Sequence, residues 1–239
     1  MSTSDRARRM RVSVVIPVFN EAEWIGACVE SARRDYLRDD VEVIVVDGGS
    51  CDGTGQRVPV GERVIGSPRG RAVQMNHGAN ESTGGILVFC HADTLLPLGW
   101  RESVLQTLGR RGVSCGCFRL RLDPPRGVLR LINRLPFPRN WRFVFGDQVQ
   151  FMTRDTFEAV GGFPEIPLME DIEMSRRLAL RGRIVRVKLT AVTSSRRFLE
   201  RGPFKQLVVD LTCWTRYVFL GAHPEDLLRL YEPQECDGG

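Results

Sequence analysis

The strongest constraint on the fold is an alternation of almost continuously apolar runs with segments of helical periodicity. The runs VSVVIPV (12–18), VEVIVVD (41–47) and the one that begins ILVF (86–89) are rich in β-branched residues, which is typical of strands buried on both faces. RVIG (63–66) predicts a shorter strand between them. Strands that alternate with helices at this spacing form βαβ units. The sequence therefore predicts an α/β fold with a Rossmann-like, mostly parallel central sheet flanked by helices.

Two helices are predicted between these strands. The first lies in NEAEWIGACVESARRD (20–35), where Asn20 is a candidate N-cap and Glu23 completes a pattern like a capping box. The second begins near Arg71 and ends at Gly84. In the second half of the chain we expect strands in SCGCFRLRL, DQVQFMTR and RIVRVKLTAVTSS, and helices in DTFEAVGGF and PLMEDIEMSRRLALRG.

The domain organisation is expected to be simple, because no internal repeat or low-complexity linker divides the chain. One domain is predicted over residues 12–239, preceded by a flexible basic tail over residues 1–11. An amphipathic helix is predicted near residues 203–222, and its apolar stripe is expected to pack in the core. An exposed stripe would instead be an interfacial anchor beside the cationic residues Arg201, Lys205 and Arg216.

The charge of the chain is +5, almost all of it from arginine, since Lys188 and Lys205 are its only lysines. This balance suits phosphate-bearing ligands or an anionic membrane surface, although a compositional bias towards arginine explains it equally well. The seven cysteines form no metal-type CxxC pair and are expected to be reduced thiols in a cytoplasmic protein. The first eleven residues lead into no apolar signal region, and no run is apolar enough to span a bilayer.

Polar side chains follow three of the predicted strands at their carboxyl ends, in residues 17–20, 47–50 and 91–93. In open α/β sheets the ligand lies in the crevice outside these strand ends. Asp47 and Asp93 are therefore expected to share one crevice, which favours a ligand-binding role over simple capping of a turn.

Signatures of several other enzyme classes are missing from the sequence. The chain has no GxGxxG, GxxxxGK[ST] or GxSxG pattern, and His77, His91 and His223 lack zinc-site spacing. A dehydrogenase, a P-loop enzyme and an α/β-hydrolase are therefore disfavoured, and no nucleic acid is expected among the partners.

Five motifs occur in a specific order: VVIPVFNEAEWI, VIVVDGGSCDGT, GRAVQMNHGA, HADT and GGFPEIPLMEDIEMSRRLALRG. They resemble the ordered motifs of the family 2 glycosyltransferases, from about Val12 to Arg201. The segments GRAVQMN, HADT, FGDQ and PLMEDIEMSRRL are most similar to those of the subgroup labelled arsenosugar-biosynthesis-type glycosyltransferases. The resemblance implies the GT-A fold of nucleotide-diphospho-sugar transferases and a hexosyltransferase-like enzyme with a UDP- or GDP-sugar as donor.

For the donor, the resemblance implies that the first strand end holds the nucleobase and ribose, that Asp47 hydrogen-bonds the base, and that arginines meet the diphosphate. The implied donor-binding residues are Pro17, Val18, Asn20, Glu21, Asp47, Gly48, Gly49, Arg71, Gln74, Arg196 and Arg197. Structural alternatives stay open: Glu21 as a first-turn acid of a helix, the glycines as plain turn residues, and the arginines as solvated side chains. The chain departs from the family near Arg196, where the Gln and Trp of a QxxRW motif are missing.

For the cofactor, the resemblance implies a divalent cation, Mn²⁺ or Mg²⁺, that bridges the donor diphosphate. The family usually has a DxD motif at this strand end; here Asp93 matches its last acid and His91 replaces its first. A hard cation binds one or two carboxylates besides phosphate and water, so Asp93 is the expected ligand. His91 either ligates, where its nitrogen favours Mn²⁺, or hydrogen-bonds the donor, or does neither.

For catalysis, the resemblance implies that Asp171 in MEDIEM is the general base, with Glu170 beside it. The acceptor hydroxyl loses its proton late when the anomeric carbon has oxocarbenium character, so a carboxylate is adequate, and a single base implies inversion. The helix N-terminus is expected to lower the pKa of Asp171; alternatively, both acids are ordinary first-turn residues. Asp147 and Gln148 in FGDQ are expected at the acceptor, a small molecule or a lipid-linked one.

Two other functions stay open on the sequence. A sugar-nucleotidyltransferase would share the sheet, but it would need a basic, glycine-rich phosphate loop where this chain has the acidic PVFNEAEW (17–24). A nucleotide-sugar-binding protein without turnover is conceivable because the first DxD acid is missing, although Asp93 and Asp171 argue against it. Exposure of the stripe in residues 203–222 would favour a lipid-linked acceptor and peripheral contact with the inner face of a membrane.

Overall fold

The computed structural model describes residues 10–34, 36–37, 40–135, 138 and 140–231. Residues 1–9 of the predicted basic tail lie outside these ranges. The described strands form one eight-stranded sheet in the order β3-β2-β1-β4-β7-β6-β8-β5. Their bounds are β1 Val12–Val18, β2 Val41–Asp47, β3 Arg63–Gly66, β4 Ile86–Phe89, β5 Thr94–Leu95, β6 Val113–Asp123, β7 Gln150–Thr153 and β8 Arg183–Ser194.

Helices connect and flank these strands. In chain order they are α1 Ile25–Arg33, α2 Thr54–Arg57, α3 Arg71–Glu81, α4 Trp100–Leu108, α5 Leu129–Ile132, α6 Arg154–Ala159, α7 Glu170–Ala179, α8 Arg196–Arg201, α9 Pro203–Leu220 and α10 Pro224–Tyr231. Short 3-10 turns span Trp141–Phe143 and Gly146–Gln148.

The first half of the sheet is parallel, as the sequence predicts. β3, β2, β1 and β4 are all paired in parallel, and Val18 lies opposite Asp47 at the carboxyl ends. Every residue of β1 is buried, because α1 covers one face and α3 the other. Gly78 permits the close approach of α3, since a Cβ there would lie 2.4 Å from a methyl carbon of Val15.

The second half of the sheet is mixed. β7 runs antiparallel to β4, with Phe89 opposite Gln150, and β6 pairs antiparallel with β7 and parallel with β8. Because β7 runs opposite to β4, the start of β7 lies at the edge where β4 ends. The turn Gly146–Gln148, which precedes β7, is thereby brought beside the residues that follow β4.

The loop after β1 differs from the prediction. Helix α1 begins at Ile25, and its N-cap residue Trp24 makes no side-chain capping bond. Asn20 instead has a left-handed backbone, with φ of 55°, and its side-chain oxygen accepts a hydrogen bond from the Cys51 N–H at 2.9 Å. The predicted cap is therefore wrong, because the Asn20 side chain joins the loops that follow β1 and β2.

Helix α9 also differs from the prediction that its apolar stripe packs in the core. Phe204, Val208, Leu211 and Phe219 are between 48% and 71% exposed. The helix is anchored through Cys213, which packs with Leu168 and with Leu227 of α10. No helix in the described part of the chain is both long and apolar enough to cross a membrane.

Candidate functional site

A cleft of about 780 Å³ opens at the carboxyl ends of β1 and β4. Its walls come from the loop after β1, the start of α3, the residues after β4, the turn before β7 and the start of α8. Ten of the predicted site residues line it: Pro17, Val18, Glu21, Arg71, Gln74, His91, Asp93, Asp147, Arg196 and Arg197.

Four predicted donor-binding residues lie beside this cleft but are not part of its lining: Asn20, Asp47, Gly48 and Gly49. The Oδ1 atom of Asp47 accepts hydrogen bonds from the Gly49 N–H at 3.2 Å, from the Ser50 N–H at 2.9 Å and from the Ser50 hydroxyl at 2.7 Å. Asp47 therefore organises its own turn, and Gly49 supplies the positive φ of 91° that this turn needs.

Gln74 is nearly fully buried and holds two strand ends together. Its Nε2 atom donates to the carbonyl oxygens of Val18 and Val46, each at 2.8 Å. Both amide hydrogens are thus used by the backbone. The side chain shapes the floor of the cleft and has no donor group left for a ligand.

Glu21 and Asp93 are acids whose pKa is raised in the cleft. Burial raises the pKa of Glu21, although Arg196 Nη2 lies 3.0 Å from both of its carboxylate oxygens. Burial and then the charge of Asp147 raise the pKa of Asp93. The hydrogen bonds to Asp93 from Thr94 and Thr193 are long, at 3.5 and 3.4 Å. The negative charge here is therefore incompletely balanced.

His91 and Asp147 form a pair across the cleft, with His91 Nδ1 2.9 Å from Asp147 Oδ1. Burial alone would raise the pKa of Asp147, but the hydrogen bond and charge of His91, with Arg197 and Arg71, lower it overall. Asp147 therefore stays ionised and fixes the orientation of the imidazole ring.

Gly146 links this pair to the predicted base and was not identified from the sequence. Its N–H donates to Asp171 Oδ2 at 2.6 Å. A Cβ on Gly146 would lie 2.8 Å from both Cε1 and Nε2 of His91, so the site has no room for a side chain. The glycine of the FGDQ motif was the available signal.

Asp171 is the second residue of α7, and its Oδ1 accepts a hydrogen bond from the Ile172 N–H at 2.7 Å. Burial and the charge of Glu170 raise its pKa to about 6, outweighing the backbone hydrogen bonds and Arg71. The predicted lowering of the Asp171 pKa is therefore wrong. Glu170 is itself buried and pairs with Arg71, whose Nη1 lies 3.2 Å from Glu170 Oε1.

A second cavity of about 290 Å³ adjoins the cleft, and Asp171 forms part of its wall. The two cavities share Arg71, Asp147, Arg197 and Phe198. The remaining wall is mainly apolar and comes from β6, the segment before β7, the loop before α7, and α9. Asp171 thus lines the apolar cavity and not the cleft, and the two cavities meet at the four residues that they share.

Gln148, predicted to meet the acceptor, does not line either of these cavities. It is 1% exposed, its Nε2 donates to the Phe143 carbonyl at 3.0 Å, and its Oε1 contacts the Cys117 thiol at 3.4 Å. Both polar groups of the side chain are hydrogen-bonded within the protein, so Gln148 fixes the turn Gly146–Gln148, to which it belongs, against Phe143 and Cys117.

Two further residues at the site were missed by sequence reasoning. Arg69 lines the cleft with its guanidinium 4.0 Å from the centre of the Phe19 ring. Tyr231 lines the apolar cavity, where its hydroxyl is hydrogen-bonded to Arg197. Both contacts join distant segments and carry no local sequence signal.

The described residues contain no group of three or more His, Cys, Asp or Glu side chains arranged to hold a metal ion. A cation at this site would therefore take part of its coordination shell from phosphate and water. Asp93, with His91 Nε2 on the same loop, is the donor set present, and it suits a cation that is held jointly with a ligand.

Comparisons with known proteins show where the chain is similar. Residues 13–163, more than half of the chain, match the family model described as glycosyl transferase family 2. Glycosyltransferase AglE of Haloferax volcanii is 34% identical over 115 residues, which cover 43% of this chain and 36% of that protein. Probable glycosyltransferase YdaM of Bacillus subtilis is 25% identical over 209 residues, covering 77% of this chain and 50% of that protein. The matches thus span at most half the length of these relatives.

Solved structures resemble the fold more extensively. A mannosyltransferase, PcManGT from Pyrobaculum calidifontis in complex with GDP-Man and Mn²⁺, has a TM-score of 0.67 and 22% identity, covering 93% of this chain and 68% of that one. S. aureus TarS 1–349 in complex with UDP has a TM-score of 0.64 and 15% identity, covering 93% and 70%. At such identities the likeness establishes the fold.

Proposed function

The chain belongs to glycosyl transferase family 2 and has the GT-A fold, and from this premise we propose that it transfers a sugar from a UDP- or GDP-sugar to an acceptor hydroxyl with inversion. One observation carries the proposal. Asp171, a carboxylate with a pKa raised to about 6, lines the apolar cavity together with Arg71, which also lines the polar cleft. A donor in the cleft and an acceptor in the cavity would place their reacting atoms beside it.

The charges of the cleft support a nucleotide-diphosphate donor. Arg69, Arg71, Arg196 and Arg197 contribute guanidinium groups to its lining. Such groups bind phosphate oxygens in two-pronged hydrogen bonds. The similar structures were solved with GDP-Man and with UDP, which makes these nucleotides the first candidates for this chain.

A divalent cation fits the acidic side of the cleft. We assign Asp93 as its protein ligand, with His91 Nε2 as a second, because Asp93 lines the cleft and its hydrogen bonds from Thr94 and Thr193 are long, at 3.5 and 3.4 Å. When bound, Mn²⁺ or Mg²⁺ would neutralise the diphosphate and make it a better leaving group. Asp147 supports this arrangement by holding the other nitrogen of His91.

Asp171 acts as the general base in this proposal. The acceptor oxygen attacks the anomeric carbon, the bond from that carbon to the diphosphate oxygen breaks with its electron pair, and the acceptor proton passes to Asp171. A pKa near 6 makes this carboxylate a stronger base than an ordinary aspartate while leaving it ionised at neutral pH. A single displacement inverts the anomeric centre.

The subgroup resemblance also remains a proposal. GRAVQMN, HADT, FGDQ and PLMEDIEMSRRL resemble the motifs of the arsenosugar-biosynthesis-type glycosyltransferases, and this resemblance supports the proposal. The curated relatives that match carry other names, among them AglE and YdaM. The acceptor of this chain must therefore be found by experiment.

The test combines nucleotide binding with turnover. UDP, GDP and their sugars are titrated calorimetrically, with and without Mn²⁺, into the wild type, Asp93→Asn and the control Glu158→Gln. Glu158 is an exposed acid of α6 and does not line the cleft. We expect Mn²⁺-dependent binding of one nucleotide in the wild type and control, and its loss in Asp93→Asn.

Turnover separates an enzyme from a binding protein. Release of the nucleotide from its sugar by the wild type, with the anomeric configuration of the product followed by NMR, tests both transfer and inversion. Asp171→Asn should bind the donor normally and lose turnover. Retention of configuration, or equal turnover by Asp171→Asn, would contradict the assignment of Asp171, and binding without any turnover would contradict the proposed activity.

A further inference from the structure

The apolar cavity lies directly beside the proposed base, and nothing in the donor chemistry requires it. Its wall includes Leu120 and Leu122 of β6, Phe143 and Phe145 of the segment before β7, and Trp214 of α9. Its polar residues include Asp171, and also Asp210 and Tyr231, which both contact Arg197, a residue shared with the cleft. An alcohol whose hydroxyl pointed at Asp171 would therefore extend an apolar group into this wall.

Exposed apolar side chains occur on α5 and α9, the helices that also contribute residues to the cavity wall, and we call them the α5–α9 rim. Ile132 and Leu211 line the cavity from α5 and α9. Beside them, Leu131, Phe204 and Val208 are between 48% and 71% exposed. Exposed apolar side chains that continue from a buried apolar cavity mark a surface that meets another apolar phase.

The rim also carries positive charge. Arg134 lies close to α5 in the chain and Lys205 lies on α9, and both are exposed. Apolar side chains combined with arginine and lysine are the composition of surfaces that bind anionic membrane interfaces. No described helix can cross the membrane, so contact through this rim would be peripheral.

From these observations we propose that the acceptor is an amphiphilic alcohol whose hydrocarbon tail occupies the apolar cavity. We propose further that this tail enters from a bilayer docked on the α5–α9 rim. The proposal rests on the proposed function for the identity of Asp171, but the binding of the hydrocarbon chain can be measured independently of transfer.

The cavity is tested with the straight-chain alcohols from butanol to decanol, by tryptophan fluorescence in the presence of UDP or GDP and Mn²⁺. Trp214 lines the cavity and provides the signal, and Trp214→Phe shows which part of the change belongs to it. Each added methylene should tighten binding about fourfold until the cavity is full. An affinity independent of chain length would overturn the assignment of the cavity.

Two variants in which leucine is replaced by arginine show where the alkyl tail of the alcohol binds. Leu207 lines the cavity from α9, so Leu207→Arg should weaken decanol binding by roughly tenfold or more. Leu180 is 79% exposed at the end of α7 and does not line the cavity, so Leu180→Arg should bind decanol like the wild type. Equal binding by the wild type and Leu207→Arg would overturn the proposal. Nucleotide binding by the same variants is the independent measure of the donor site, and its failure in the wild type would refute the proposed function instead.

Entry of the acceptor's hydrocarbon tail from a bilayer is tested with vesicles of phosphatidylcholine and phosphatidylglycerol. Their acyl chains carry bromine, which quenches indole fluorescence on contact. We expect quenching of Trp214 in the wild type and its loss in Phe204→Ser/Val208→Ser, which keeps quenching by a soluble brominated alcohol. Quenching of the wild type by the alcohol alone would overturn the bilayer as source. A wild-type dimer that dissociates in the double variant would assign the rim to a second copy and overturn membrane docking.

Discussion

The pH dependence of transfer reports on the environment of Asp171. Burial and the charge of Glu170 raise its pKa from the ordinary 3.8 to about 6. Only the ionised carboxylate accepts a proton, so its active fraction at pH 5 would be about one-tenth, against more than about nine-tenths for an ordinary aspartate. We therefore expect kcat/KM to rise roughly tenfold between pH 5 and pH 7.5 and to level off above that.

Glu170→Gln tests the cause of this midpoint. The substitution keeps the shape of the side chain and removes the negative charge that adds to the effect of burial, so the midpoint should move below 6. Arg71 loses its ion-pair partner in this variant, so the absolute rate is expected to fall as well. The quantity to compare is therefore the ratio of single-turnover rates at pH 5 and pH 7.5, which should be nearer to unity than in the wild type, because burial still raises the pKa of Asp171.

Glu173→Gln is the matched control, because it makes the same change one turn further along α7. Glu173 binds Arg176 and Arg177 and is not among the groups that shift Asp171. Its midpoint should equal that of the wild type. An unchanged midpoint in Glu170→Gln would refute the reasoning and attribute the acid limb to Glu21 or Asp93, whose pKa values are also raised.

Three substitutions test other contacts of the site. Gly146→Ala would place a methyl carbon 2.8 Å from the His91 ring before any relaxation, so kcat should fall by roughly tenfold or more and calorimetry should find weaker Mn²⁺-dependent nucleotide binding, because the proposed ligand His91 is displaced; unchanged kcat would contradict this. Gln74→Ala removes a hydrogen bond from each of the Val18 and Val46 carbonyls, although Val18 still accepts one from the Gly48 N–H at 3.0 Å, and urea titration should find the free energy of unfolding lower by about 1–3 kcal/mol. Arg71→Ala leaves the buried Glu170 uncompensated and should cost about 2–3 kcal/mol at pH 7, discounted because Arg71 is partly exposed. That cost should disappear when Glu170→Gln is added, and an equal cost in both backgrounds would mean that the ion pair is irrelevant.

The parallel half of the sheet was predictable because its signal is local. β1 and β2 are buried on both faces, so nearly every residue in Val12–Val18 and Val41–Asp47 is apolar, and the predicted bounds agree with the structure. The position of Asp93 at a strand end followed from the same pattern. The contact between Gly146 and His91 could not be predicted from this pattern, because it depends on the antiparallel pairing of β7 with β4.

The predictions that failed concern side chains whose partners are distant in sequence. Asn20 has the right type for a helix cap, but a backbone N–H in the loop after β2 takes its oxygen. Asp171 has the helix N-terminus that normally lowers a pKa, but burial and Glu170 outweigh it. The apolar stripe of α9 has the periodicity of a core helix, and periodicity alone does not reveal whether another element covers it.

The division of the site into two cavities has a consequence for how such a chain can change. The cleft and the apolar cavity have four lining residues in common, Arg71, Asp147, Arg197 and Phe198, whereas β6 and α9 contribute residues to the apolar cavity and none to the cleft. With the acceptor and donor in the proposed cavities, substitutions in β6 and α9 would change acceptor choice and leave the donor-binding residues intact. Under selection or directed evolution, the two substrate preferences would be separable traits, and a library confined to the apolar wall would search new acceptors at constant donor.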